Sequence, residues 1–125
     1  MIFGTGTDII EIRRIENSIA RSDAFVNKIF TEAEQTYCKA QKAGIFQSYA
    51  ARYAAKEAVF KALGTGYRYG MAFREIEVKN DKLGKPEVVV YGKVKAFVQE
   101  QEITQIHLSL SHVKEMALAF VVMEK

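Results

Sequence analysis

The spacing of apolar residues changes several times along this chain, and each change marks an element. Ile2 to Gly6 reads as a short strand whose glycines, Gly4 and Gly6, allow another backbone to approach closely. Asp8 then falls just past its end. From Ile9 onward, Ile12, Ile15 and Ile19 recur at steps of three or four, the period of a helix with one buried stripe. Arg13, Arg14 and Arg21 are therefore expected to face outward. Ser22-Asp23 interrupts that helix, and Thr31 followed by Glu34 carries a capping-box signature that predicts another helix running to about Lys42. Gly44 ends it.

The longest periodic segment is Ile45 to Leu63, stopped by Gly64-Thr65-Gly66. At roughly 100° per residue, Ala51, Ala55, Ala58 and Ala62 share one narrow stripe, where small side chains permit tight packing on a sheet. This reads as the central helix. Phe73 to Lys79 alternates as a strand, Asn80 to Pro86 is turn-like, and Glu87 to Tyr91 reads as the returning strand. Lys93 to Glu102 predicts a short amphipathic helix. A second hairpin follows, Gln105 to Ser111 with Glu115 to Met123, turning at His112-Val113-Lys114. Early helices and late antiparallel strands predict an α+β fold in one domain spanning 1–125.

At 125 residues the chain is long enough to bury one core and too short for two. It has no apolar run near the roughly 20 residues that a membrane span needs, and no secretory signal is visible at Met1-Ile2-Phe3-Gly4. A cytoplasmic location and no membrane contact are expected. Cys38 is the only cysteine, which excludes an internal disulfide and, with only His107 and His112 to help, makes zinc a poor fit. The net charge of +3 comes from basic residues interleaved with acidic ones, so nucleic acid is not expected as a partner. A small acidic partner or a polyphosphate suits this balance better.

Candidate chemistry centres on the long helix. Glu57 and Lys61 are four apart and lie one above the other, which on most helices is a surface ion pair. Here the neighbours on that face are Ala50, Tyr53 and Ala54, and charges among such residues normally need a further partner. Asp8 is a candidate second carboxylate, or equally the N-cap of the helix after it. Two carboxylates on separate elements suit magnesium, which takes its remaining ligands from water and substrate phosphates. Gly64-Thr65-Gly66 reads as a helix C-cap and also as a source of backbone amides for a phosphate beside Lys61. His107, Ser109 and Ser111 alternate with Leu108 and Leu110, which puts the polar groups on one sheet face, as ordinary solvent exposure also does.

Taken in order, Gly4-Thr5-Gly6-Thr7-Asp8-Ile9, then Lys56-Glu57-Ala58 with Lys61, then Gly84-Lys85-Pro86 and His107-Leu108-Ser109-Leu110-Ser111-His112, the chain resembles the holo-acyl-carrier-protein synthases over nearly its whole length. That resemblance implies transfer of 4'-phosphopantetheine from coenzyme A to an acyl carrier protein serine, in support of fatty acid biosynthesis. It implies a homotrimer with coenzyme A in clefts between subunits, and Mg²⁺ held by Asp8 and Glu57. It places Lys61 and Gly64-Thr65-Gly66 near the cofactor phosphates, Arg52 and His107 toward the adenosine 3'-phosphate, and Arg14 and Arg21 against the acidic carrier. Tyr53 stands where the family pattern has Phe or Trp, and Ala24 where some members add an arginine.

In this chemistry a serine hydroxyl attacks phosphorus and 3',5'-ADP leaves, so a metal and Lys61 offset developing charge while Glu57 or a metal-bound water takes the serine proton. An acyl-coenzyme A acyltransferase would share the cofactor without needing Asp8 and Glu57 on a metal. A small binding module docking an acidic partner through Arg13, Arg14 and Arg21 would leave Glu57 and the glycine turn unused.

Overall fold

A computed structural model describes residues 1–125, and its ten regular elements follow the order β1 (Ile2–Glu11), α1 (Ile12–Arg21), α2 (Asp23–Ile29), α3 (Glu32–Lys39), α4 (Ile45–Leu63), β2 (Ile76–Asn80), β3 (Pro86–Val90), α5 (Gly92–Glu100), β4 (Gln105–His112) and β5 (Met116–Glu124). The strands form a three-stranded antiparallel sheet in the order β1-β5-β4 and a separate β2-β3 hairpin. This is the expected α+β architecture.

Helix α4 lies directly on β1. A Cβ built on Gly4 would stand 2.3 Å from the Ala62 carbonyl oxygen, and one on Gly6 would stand 2.0 Å from that of Ala58. Only glycine fits at that separation. On the helix side the contact is made by the alanine stripe, with Ala55 and Ala58 fully buried and Ala51 and Ala62 nearly so. Ala117, Ala119, Val121 and Met123 of β5 continue the same floor, and the apolar groups join in one core with Phe30, Tyr49 and Phe60.

A buried ionic network clamps α4 to the rest. Lys56 is fully buried and its ammonium pairs with Glu34 of α3 at 2.7 Å, donates to the Phe73 carbonyl at 3.0 Å, and donates to the Ile76 carbonyl. Its three donors therefore have three acceptors. Glu34 also accepts from the Val78 amide at 2.8 Å and closes the capping box with Thr31. Burial pulls the Lys56 ammonium below its usual range, although Glu34 acts against this. Burial raises a carboxyl, yet at Glu77 the hydrogen bonds from Thr31 and Tyr91 outweigh it and hold that group below the ordinary range.

Several boundaries differ from the sequence expectation. Strand β1 runs on through Asp8 and Ile9 to Glu11, because Asp8, Ile9, Ile10 and Glu11 pair with Ala119, Leu118, Ala117 and Met116. Helix α1 therefore begins at Ile12, not Ile9, and Asp8 is a strand residue that caps nothing. Ser22, read as an interruption, is also an N-cap whose hydroxyl accepts from the Ala24 amide and starts the unpredicted α2. Segment Phe73–Glu75 is a 3-10 turn ahead of β2 rather than the start of the strand, and α3 stops at Lys39. By contrast, α4 has the expected bounds, and Gly64 caps it in the left-handed conformation at φ 79°.

The outward face of the three-stranded sheet is partly apolar. Ile9 opposes Leu118, and Phe120 lies between Thr7 and Ser109; Ile9 is 59% exposed and Phe120 44%.

Replacing Gly6 with alanine forces backbone against backbone, so Gly6→Ala should cost at least about 1–3 kcal/mol of unfolding free energy. Urea denaturation at fixed protein concentration measures this, and an unchanged midpoint would show that α4 does not depend on that contact.

Candidate active site

The glycine contact between β1 and α4 also sets which charged groups meet. Gly4, Gly6 and Asp8 alternate onto the same face of β1, so the strand that touches Ala58 and Ala62 carries a carboxylate to the same helix. Lys61, between those alanines in sequence, donates from Nζ to Asp8 Oδ1 at 3.1 Å and to the Thr7 carbonyl at 3.0 Å. Glu57 stands one helical turn before Lys61. Burial raises the Asp8 carboxyl above its ordinary range against the opposing effect of Lys61, and the nearby Glu57 charge raises it further. Arg14, exposed on α1, acts on the same carboxyl in the lowering direction.

Glu57, Phe60, Lys61, Gly64, Gly66 and Tyr67 line an open cavity of about 360 Å³. Gly64 and Gly66 both have positive φ, at 79° and 61°, and an added Cβ would meet nothing at either. The Gly64 amide is spent on the α4 cap, while the amides of Thr65 and Gly66 have no partner in the chain. Free amides beside an exposed ammonium form a cradle for an anion. Both carboxylates are hard oxygen donors, and no third His, Cys, Asp or Glu completes a metal cluster with them. Such a pair fits a divalent cation of the magnesium kind, which keeps water or phosphate on its other positions.

Two tyrosines complete the surroundings of Glu57. The Tyr67 hydroxyl donates to Glu57 Oε1, and burial together with that carboxylate pushes the phenol well above its usual range. Tyr53, one turn before Glu57 on α4, is pushed up to about 12, first by burial and then by the Glu57 charge. Tyr53 was legible as a neighbour on that helix face. Tyr67 was not, since it lies in a turn without periodicity. The role of Lys56 was hidden too, because its three acceptors come from α3 and the segment after the turn.

The other expected site residues lie elsewhere in the chain. His107, on the exposed face of β4, has an in-chain partner in Glu124. It lines a larger cavity of about 590 Å³ between β3 and β4 together with Lys85 and Pro86, so two of the sequence motifs converge there. Arg52 is 4% exposed: its guanidinium lies 4.1 Å from the centre of the Tyr37 ring and donates to Ser48 and to Asn80, while Nε has no partner. Asn80 opposes Pro86 in the hairpin, which puts Arg52 toward the end of β2-β3 that carries the Gly84-Lys85-Pro86 turn. Arg14 and Arg21 are exposed on α1, and Ser109 and Ser111 on β4. The carboxylate group and the His107 group therefore occupy separate cavities of one chain.

A strand-borne carboxylate lies beside a helix-borne Glu and Lys, next to a glycine turn with free amides, a donor set whose chemistry suits a polyphosphate and a hard divalent cation. A family model described as the 4'-phosphopantetheinyl transferase superfamily matches residues 4–121. The chain belongs to that superfamily and to its holo-[acyl-carrier-protein] synthase family. It is 48% identical to the holo-[acyl-carrier-protein] synthase of Clostridium acetobutylicum over 124 residues, covering 99% of this chain and 98% of that protein. Its fold is similar to the crystal structure of the holo-[acyl-carrier-protein] synthase from Neisseria meningitidis, with a TM-score of 0.91 at 40% identity and full coverage of both chains. The Bacillus anthracis enzyme, solved in complex with CoA (3',5'-ADP), superimposes with a TM-score of 0.82 at 42% identity, covering 98% of this chain and 96% of that one.

Proposed function

We propose that this protein transfers the 4'-phosphopantetheine group from coenzyme A to a serine of apo acyl carrier protein, releasing adenosine 3',5'-bisphosphate, and so supports fatty acid biosynthesis. The observation that carries this reading is the meeting of Asp8, Glu57 and Lys61 beside a glycine turn with unpartnered amides. Relatives that share almost the full length carry this activity in their names, and the Helicobacter pylori structure, 28% identical with a TM-score of 0.84, is a complex with coenzyme A.

Asp8 and Glu57 would hold Mg²⁺. When bound, the cation supplies neutralisation of the pyrophosphate charge and of the leaving 3',5'-ADP. The Lys61 ammonium, 54% exposed at its side chain, exchanges its Asp8 partner for a phosphate oxygen and adds to that neutralisation. The amides of Thr65 and Gly66 receive a further phosphate oxygen. As the serine oxygen forms its bond to phosphorus, the bond from phosphorus to the ADP oxygen breaks, and the serine proton passes to Glu57 or to a water that Glu57 orients. His107, with Arg52 behind the β2-β3 turn, is the adenosine side of a cleft.

Those two halves lie in separate cavities, and the apolar stripe of Ile9, Leu118 and Phe120 is open on the outer sheet face. A homotrimer in the cytoplasm joins both facts: neighbouring subunits cover the stripe and bring the carboxylates of one chain to His107 of the next. Arg14 and Arg21, seven apart on α1, form a basic stripe for an acidic carrier.

Incubated with coenzyme A, Mg²⁺ and apo carrier, the protein should raise the carrier mass by one phosphopantetheine. Asp8→Ala and Glu57→Gln should each stay folded and lose most turnover; near wild-type conversion by either at saturating Mg²⁺ would remove them from the metal assignment. Neutralising Arg14 and Arg21 together should raise the carrier KM and flatten its salt dependence with coenzyme A affinity unchanged. A change confined to coenzyme A binding would move the docking surface elsewhere. Mixing inactive Glu57→Gln with an Arg52→Ala, His107→Ala form under subunit exchange should restore part of the activity. Hetero-oligomers seen by mass measurement but without turnover would mean that each site belongs to one chain.

A further inference from the structure

Tyr67 has no part in the chemistry above, yet its hydroxyl donates a hydrogen bond to Glu57 Oε1, and Tyr53 of α4 meets the same carboxylate. Its ring is held from two directions: it meets Phe60 of α4 edge-on at 5.0 Å between centroids and Phe73 at 4.7 Å. Phe73 is itself fixed, since its ring stacks on Tyr53 at 5.7 Å and its carbonyl accepts from Lys56. The residue just before Tyr67 is Gly66, at φ 61°, where the turn reverses toward the carboxylate. A phenol packed this firmly presents its hydroxyl from a fixed point, although the residue is 52% exposed.

The effect on Glu57 follows from the freedom of a carboxylate. The last torsion of a glutamate is broad, so an unsupported Glu57 presents either oxygen over a wide arc. A hydroxyl anchored on Oε1 restricts that arc. Partners of this kind, one step removed from a ligand, set its orientation and its affinity for a cation. Tyr67 also shares its turn with Thr65 and Gly66, whose amides are free, so the order of the phosphate cradle and the orientation of the carboxylate depend on one short segment.

We propose that Tyr67 is a positioning residue: it holds Glu57 in the orientation that offers its second oxygen to a divalent cation, and through the Gly64–Gly70 turn it links cation binding to phosphate binding. The proposal rests on the reading of Glu57 as a cation-holding carboxylate. Because coupling between two ligands is reciprocal, Tyr67 raises the affinity of each in the presence of the other.

The test is titration of the full-length protein with Mn²⁺, the free ion followed by electron paramagnetic resonance, with and without coenzyme A and with no carrier present. Tyr67→Phe keeps the ring and removes only the hydroxyl. It should weaken Mn²⁺ binding about 10-fold or more, as loss of such a partner does elsewhere. The tightening of Mn²⁺ by coenzyme A should shrink as well. In a Glu57→Gln background Tyr67→Phe should add nothing. Wild-type or tighter affinity in Tyr67→Phe, with Glu57→Gln still weakened, would overturn the positioning role alone. Unchanged affinity in Glu57→Gln would overturn the cation reading beneath it. Should Tyr67→Phe melt early, Tyr67→Met, which retains an apolar body against Phe60 and Phe73, is held to the same outcomes.

Discussion

The close approach of α4 to β1 is the contact on which the rest of this structure depends. Gly4 and Gly6 leave no side chain between strand and helix, and Ala58 and Ala62 offer their carbonyl side to the gap. A methyl group at either glycine would push the helix outward by a large fraction of a van der Waals diameter. Asp8 would then move away from Lys61, because both sit within a residue or two of the contact. The site is therefore a consequence of backbone proximity. Packing density, which makes interiors intolerant of an added methyl, doubles here as the device that brings two charges together.

The Lys56 network performs the complementary task at the other end of the site. An ion pair buried to this degree gains little net stability over apolar packing, because removing both charges from water is costly. What it does secure is geometry. Lys56 takes the carbonyls of Phe73 and Ile76, so the chain returning from the glycine turn is pinned to α4, and Glu34 extends the clamp to α3 and β2. Phe73 in turn supports Tyr67 and Tyr53, the two phenols around Glu57. A turn with three exposed glycines is thus held at both ends: by the α4 cap on one side and by buried charge on the other.

Charge near the site follows the same division. Asp8 lies partly buried with its carboxyl raised, while the Lys61 side chain remains half exposed. A carboxylate that is costly to hold in its charged form gains most from a cation. The ammonium beside it offsets part of the repulsion between Asp8 and Glu57. Arg14, on the surface of α1, reaches the same field, so an exposed arginine and the carboxylate pair share one electrostatic neighbourhood.

Much of this was written into local sequence. The period of α4, its alanine stripe, its glycine cap, the Thr31 to Glu34 capping box and the late hairpin are all decided by residues within a few positions of each other. Such signals act over one turn or one strand pair. Gly4, Gly6, Asp8, Glu57 and Lys61 were likewise recognisable as residues, since each breaks the apolar pattern around it. What the tertiary structure alone decided was their partnership. Strand β1 runs to Glu11 because β5, more than a hundred residues later, offers it a ladder, and that pairing overrides the helical period of Ile9, Ile12 and Ile15. The burial of Arg52 against Tyr37 and Asn80, the three acceptors of Lys56 and the seating of Tyr67 on Glu57 depend on contacts between distant segments. Local periodicity states which face of an element is buried; it carries no information about what that face meets, because the meeting is decided by the packing of the whole chain.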